Sequence, residues 1–304
     1  MRKEKLFYQF YKAICVAFKP RIDKHSYKRS NCSKVRIFSY ADRRNIIKCT
    51  NQLCKYLEEK YSDLRFIKDI NVDHINKFLE YKASYCSCAT MKNYRYCIKK
   101  LENMVKEYLH LKVKYIHKDN VIKGVTVDIR NIKMEDNDLE LLLREIEKSN
   151  SKAVLGVKVA VAFGLRAEEI CKLKGKDIDM QKRTLHVHEG KGKRSRNISI
   201  ESDEQIKICK EINEEIQEES RVCPVTPNSL NAVIRRILVK NKITRYADAK
   251  TGIHSIRKYY ATKDYEKNLK ELGNEKTAWD FTANKLGHGK GRTVLKNVYV
   301  KGSE

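Results

Sequence analysis

Six residues in the second half of this 304-residue chain are of types that do chemistry on an anionic centre: Arg166, Lys191, His254, Arg257, His288 and Tyr299. Arg166 stands in GLRAEEICKLKGKDID, after a Gly-Leu break that follows a strongly apolar run, and so sits at the N-terminal edge of the next helix. A surface arginine paired with Glu169 is the equal alternative. Lys191 lies between glycines in HEGKGKRSRNISI, where its stem can swing, although a solvated basic turn suits that stretch as well. In GIHSIRKYYAT, His254 and Arg257 are three apart on a helix and share a face, while Ile256 and Tyr260 can point toward packing. Two cationic groups side by side repel unless an anion lies between them. Glycines flanking His288 in LGHG permit a close turn, for a reactive histidine or a structural one. Tyr299 is one of 17 tyrosines, and most tyrosines only pack.

The elements that must position these residues fall in two groups. Residues 1–37 read as a basic N-terminal arm, partly helical through LFYQFYKAICVAF. Residues 38–112 carry three helix-like segments, at 41–61, 71–84 and 90–109; in the first, Ile46, Ile47, Leu53, Cys54 and Leu57 recur near the 3.6 period, and in the third Tyr94, Cys97, Ile98, Leu101 and Val105 do the same. Periodicity is lost over residues 113–133, which contain Gly124 between β-branched neighbours and read as a linker. A second domain spans 134–304. Asn137, with Glu140 three residues on, has the pattern of a helix cap opening DLELLLREIEKS, and SKAVLGVKVAVAFG reads as a helix buried on most sides. TLHVHEG and RNISI are short β-type runs around a basic tip, KGKRS, the pattern of a hairpin. From SDEQIKICKEINEEIQ onward the sequence is helix-compatible.

Composition narrows the partner. Lys and Arg number 65 against 39 Asp and Glu, a formal charge of +26, so an anionic polymer is the expected partner and nucleic acid fits best. The longest apolar stretch, Ala153 to Leu165, is broken by Lys158 and falls short of the ~20 residues that span a bilayer. The apolar run near the start, Ala13 to Phe18, is too short for a signal-peptide core, and a cytoplasmic protein is expected. Ten cysteines show neither zinc-ligand spacing nor a disulfide framework and read as reduced thiols.

In their order and with their neighbours, the six residues resemble the tyrosine recombinase (phage integrase) family, whose motif order is arginine, lysine, H-x-x-R, histidine or tryptophan, then tyrosine near the C-terminus. GLRxxE surrounds Arg166, a G-K-G hairpin carries Lys191, H-x-I-R-K-Y-Y-A-T stands where the family has H-x-L-R-H-T-F-A-T, and LGH precedes the last histidine. The resemblance covers about Asn137 to Tyr299, and the segment 41–109 is similar to the family's core-binding domain. It implies a mainly α fold with a small antiparallel β-sheet in the catalytic domain (α+β), arranged as a two-domain DNA clamp. One departure is the spacing of His288 and Tyr299, eleven positions and longer than usual, with Gly289 and Gly291 between them.

What the resemblance implies chemically agrees with the residue types. Attack on a phosphodiester builds charge on the non-bridging oxygens, which two guanidinium forks, Arg166 and Arg257, can bind bidentately. Tyr299 is the nucleophile, His254 takes its proton, His288 donates to the phosphate, and Lys191 protonates the leaving 5′ oxygen. A 3′-phosphotyrosine link stores the bond energy for rejoining. No metal, ATP or other cofactor is expected, and the sequence holds no phosphate-cradling G-x-x-x-x-G-K-[ST] loop. The implied partner is a double-stranded DNA recombination site, bound by a homotetramer on paired sites. Lys193, Arg194, Arg196, Arg235, Arg236, Arg245, Lys290 and Arg292 are the candidate DNA contacts. The implied activity is site-specific recombination, integrating or excising a mobile element or resolving replicon multimers. A strand-relaxing enzyme of the type IB topoisomerase kind would share every catalytic residue, and a catalytically decayed DNA-binding protein would share the scaffold.

Overall fold

The computed structural model describes residues 5–30, 34–117, 122–125, 132–188, 195–288, 291 and 293–300. The chain divides into two compact units, residues 1–127 and 128–304. Among the described residues no helix is long and apolar enough to cross a membrane.

The first unit is helical: α1 (Leu6–Ala17), α2 (Lys24–Arg29), α3 (Tyr40–Lys60), α4 (Val72–Ala83) and α5 (Cys88–Tyr108). Helices α3, α4 and α5 each start where a polar side chain accepts a free N–H of the first turn: Ser39 from Asp42 in α3, Asn71 from His74 in α4, Ser87 from Thr90 in α5. Ile46, Cys49, Leu53 and Leu57 of α3 and Tyr94, Cys97, Leu101 and Val105 of α5 then fall on one stripe each and are buried. The stretch expected as a separate arm differs from that reading. Its Leu6, Phe10, Ala13, Ile14 and Ala17 lie on one face of α1 and enter the same core as α3 and α5, because the apolar stripe outweighs the scattered basic residues around it.

The expected linker also begins inside this unit. Val113 and Tyr115 are buried, and the carboxylate of Glu102 accepts the backbone N–H groups of Tyr115 and Ile116 at 3.0 and 3.2 Å. Burial alone would raise the Glu102 carboxyl, but Lys106, Lys99 and those two N–H groups hold it down to about 2. Further on, Val125 exchanges backbone bonds with Cys86 and Cys88. Gly124 is required there, since a Cβ would lie 2.2 Å from the Cys86 carbonyl oxygen.

The second unit comprises α6 (Asp136–Glu147), α7 (Val154–Phe163), α8 (Ala167–Ile170), the strands β1 (Ile178–Asp179), β2 (Thr184–Val187) and β3 (Arg196–Ser199), then α9 (Asp203–Glu215), α10 (Pro227–Lys240), α11 (Arg245–Asp248), α12 (Ile253–Leu272), α13 (Glu275–Lys285) and α14 (Thr293–Tyr299). The strands form one antiparallel sheet in the order β1-β2-β3, with Leu185 opposite Ile198 and Val187 opposite Arg196. The expected hairpin is therefore present, its tip at 189–194 lying outside the described residues. Helix α7 is buried almost all round apart from Lys158, as its otherwise apolar run requires. Asn137 does not cap α6: the helix starts at Asp136, two residues earlier than that cap would give, with Glu135 at the cap position. Tertiary contacts fix that start, because the Tyr246 hydroxyl accepts the Glu135 N–H at 3.1 Å and donates to Asp138 at 2.5 Å. A large core gathers α6, α7, the sheet, α9 and α10, and a smaller one, around Trp279, joins α12, α13 and α14.

Candidate active site

Construction of the site starts from one buried carboxylate. Arg166 is the residue that opens α8, and Glu169, one turn on, reaches back to its backbone N–H at 2.9 Å and to its Nη1 at 2.8 Å. The same carboxylate receives Arg196 from β3 through Nη1 at 3.0 Å and Nη2 at 3.1 Å. Burial would raise Glu169, but Arg196 and then Arg166 more than offset it and hold the carboxyl down to about 2. Arg196 also donates Nε to the Lys285 carbonyl at 3.0 Å. Arg196, expected as a DNA contact, is held here by Glu169 and by the end of α13. The turn carrying His288 packs onto it, for Gly287 has φ +69° and a Cβ there would lie 2.8 Å from Arg196 Nη1.

Arg257, on the second turn of α12, is almost wholly buried at 1% exposure. Two helix ends hold it. Nη1 donates to the Gly164 carbonyl at 2.5 Å and Nη2 to the Leu286 carbonyl at 2.6 Å, and these residues close the C-termini of α7 and α13. Terminal carbonyls of this kind lack helical partners and carry the negative end of the helix dipole, so they suit a buried cation. Burial, then the nearby Arg166, lowers the Arg257 guanidinium to about 10, which still leaves it charged at neutral pH. Its Nε is buried with no partner among the described residues.

His288 joins the cations to the tyrosine. Its Nε2 lies 3.4 Å from Arg166 Nη2, 3.3 Å from Arg257 Nη2 and 3.2 Å from the Tyr299 hydroxyl. Guanidinium groups only donate, so Nε2 acts as an acceptor and the ring proton belongs on Nδ1. Tyr299 itself is buried at 6% exposure. Its ring meets those of Trp279, His254 and His288 at centroid distances of 6.5, 5.8 and 5.3 Å, and Arg257 Cζ stands 5.7 Å over it. Thr262 Oγ1 donates to the Tyr299 carbonyl at 3.2 Å. Packing and placement beside chemical groups thus coexist in one side chain.

Arg166, His254, Arg257, His288 and Tyr299 therefore converge from α8, α12, the turn after α13, and α14. Lys191, Lys193, Arg194, Lys290 and Arg292 lie outside the described residues. Arg235 is half-buried and Arg236 exposed on α10, while Arg245 is ion-paired with Asp138. Sequence reasoning treated Glu169 only as a surface partner of Arg166 and missed that it clamps two arginines. The i,i+3 spacing was the available signal; the second arginine, from a strand, left none.

With the geometry in place, comparison with known proteins gives one consistent result. The model of the Phage integrase family matches residues 133–301. No curated protein matches. Among solved structures, the fold is similar to the XerH site-specific recombinase bound to difH substrate (17% identity, TM-score 0.65, covering 100% of this chain and 95% of that one). It is similar also to a lambda integrase dimer bound to a COC′ core site (15% identity, TM-score 0.63, covering 93% and 79%), and to the Tn1549 transposon integrase in complex with transposon right-end DNA (14% identity, TM-score 0.57, covering 99% and 96%). These likenesses establish the fold, while the family match takes in more than half of the chain and the residues that build the site. The chain belongs to the phage integrase family, the tyrosine-type site-specific recombinases.

Proposed function

We propose that Tyr299 is the nucleophile with which this enzyme cleaves and rejoins DNA strands at a specific site. The convergence of the Tyr299 hydroxyl, His288 and two guanidinium groups within 3.2–3.4 Å of one ring nitrogen is the observation that carries the reading. Tyr299 Oη attacks the scissile phosphorus and forms the O–P bond of a 3′-phosphotyrosine while the bond to the 5′ oxygen breaks. The phenolic proton passes to an imidazole beside the ring. His288 is within hydrogen-bonding distance of Oη, and His254, the acceptor expected from the family pattern, stands edge-on to the same ring. Lys191 returns a proton to the leaving 5′ oxygen. Arg166 and Arg257 meet the charge that builds on the non-bridging oxygens, each such donor contributing on the order of 10²–10³ in rate. Reversal, with a 5′ hydroxyl from another strand attacking the phosphotyrosine, exchanges strands without consuming bond energy.

Double-stranded DNA is the substrate, the cytoplasm the place of action, and a homotetramer on paired sites the working assembly. A lambda integrase tetramer bound to a Holliday junction is among the similar folds. Support for the DNA partner comes also from the net charge of +26. Full-length protein incubated with duplexes nicked beside the cleavage point, their sequences taken from a binding selection, should give a covalent protein–DNA adduct on denaturing gels. No adduct from wild type, or an undiminished one from Tyr299→Phe, overturns the assignment.

A further inference from the structure

Reading a particular base needs a side chain that presents donor and acceptor together on an exposed, cationic face. The helical unit has such a place along the seam of α3 and α5. Asn45 and Asn93 meet there and exchange both amide bonds: Asn45 Nδ2 donates to Asn93 Oδ1 at 2.9 Å, and Asn93 Nδ2 donates to Asn45 Oδ1 at 3.0 Å. Asn93 is exposed and Asn45 half-buried, its Nδ2 also 3.3 Å from Cys97 Sγ. Asparagine is a poor residue for a helix interior, and on a wet face water would serve either amide nearly as well, so the pair adds little to the fold. What Asn45 offers its neighbour is an acceptor and a donor side by side. Adenine offers the same pair, N7 and N6–H, in the major groove, and asparagine is a preferred bidentate partner for it.

The surrounding charge has the matching sign. Residues 40–50 and 88–100 carry seven cations, three on α3 and four on α5, against one acid, Asp42, which Lys100 holds at 2.7 Å. Arg44, Lys48 and Lys92 are exposed and have no protein partner among the described residues. The far halves of the same helices carry Glu58, Glu59, Glu102 and Glu107 against Lys55, Lys60 and Lys106. A polyanion is therefore favoured on the half that holds the amide pair.

We propose that Asn93 reads an adenine in the major groove of the DNA site, with Asn45 holding its amide in the reading orientation until the base takes Asn45's place. Two amide–amide bonds are exchanged for two amide–adenine bonds, so little is lost at an A·T pair, whereas another base pair leaves the amide mismatched. Arg44, Lys48 and Lys92 hold the adjoining phosphates. The inference rests on the DNA-strand reading above and deepens it, assigning specificity to two residues of the helical unit.

A randomised duplex library bound by the full-length protein and then sequenced tests it, with wild type, Asn93→Ala, Asn45→Ala and Lys92→Ala side by side. Wild type should select a motif in which one A·T pair is favoured about tenfold or more. Asn93→Ala should lose the preference at that position alone, and Asn45→Ala should weaken it without moving it. Lys92→Ala should weaken binding to all sequences alike and reduce the salt slope by about one. A motif unchanged at every position by Asn93→Ala, uniform weakening by that variant, or a wild type without an A·T preference overturns the proposal. Adduct formation is read separately in the same samples: a motif without adduct counts against the strand chemistry and leaves base reading intact, and an adduct with Asn93→Ala silent does the reverse.

Discussion

His288 Nε2 lies 3.2 Å from the hydroxyl of Tyr299, and the same nitrogen faces one terminal nitrogen of each of two arginines. The phenol is thus held against a positive field before any substrate arrives.

Tyr299→Phe keeps the ring among Trp279, His254 and His288 and removes one hydrogen bond. Stability should fall by about 1 kcal/mol and DNA affinity should hold, while the covalent adduct disappears. Urea unfolding, a binding titration and a denaturing gel check the three parts.

Arg257→Lys retains a cation but loses the fork that spans the Gly164 and Leu286 carbonyls. Single-turnover cleavage should drop by roughly 10²–10³ with binding changed only a few-fold, since most of the basic residues lie elsewhere. Equal loss of binding and cleavage would assign Arg257 a binding role only.

Glu169 gives a pH-dependent prediction. Its carboxyl falls from the ordinary 4.5 to about 2 on folding, so its stabilisation is fully present above pH 4.5 and is lost as pH falls toward 2. The difference in unfolding free energy between wild type and Glu169→Gln should be on the order of 3 kcal/mol at pH 7 and should shrink steadily between pH 4.5 and 2. A gap that stays constant over that range would remove the two arginine pairs as its cause.

Gly164 and Gly273 both have left-handed backbone, with φ +59° and +64°. A Cβ at Gly164 would lie 2.3 Å from the Tyr260 ring, and at Gly273 it would meet nothing within 4 Å. Gly273→Ala should cost about 1 kcal/mol and leave cleavage unchanged. Gly164→Ala should cost more in urea unfolding and also slow cleavage, because the carbonyl it shifts is the one that holds Arg257.

Arg236→Ala and Arg196→Ala separate a DNA contact from a positioning residue. The exposed Arg236 should reduce the slope of log K against log salt by about one and leave bound-state cleavage unaffected. Arg196→Ala should leave the slope unchanged and slow cleavage, since it strips Glu169 of its larger partner and frees the turn before His288.

By itself the sequence determined the order and type of the motif residues, the long helices and the hairpin. Those features are local. Helical stripes at the 3.6 period and strand runs around a glycine-rich tip follow from neighbours within a few positions, whereas the cap pattern at Asn137 gave way to contacts made by Tyr246. GLRxxE placed Arg166 at a helix start, and His254 and Arg257 on one face, for the same reason. Tertiary structure decided which charges are spent and which remain. Arg196 looked like any arginine of a basic hairpin, yet Glu169, 27 positions away, claims it; Arg257 gains its two carbonyl partners from the ends of α7 and α13, 93 and 29 positions away. The apolar face of α1 reads as part of a basic arm until α3 and α5 supply the surface that buries it. A charged side chain in water has no fixed partner, and its role is settled only when folding brings a desolvated opposite charge within about 3 Å. Hence the order of the six motif residues belongs to the sequence, and the network that gathers Arg166, Arg257 and Tyr299 around one nitrogen of His288 belongs to the fold.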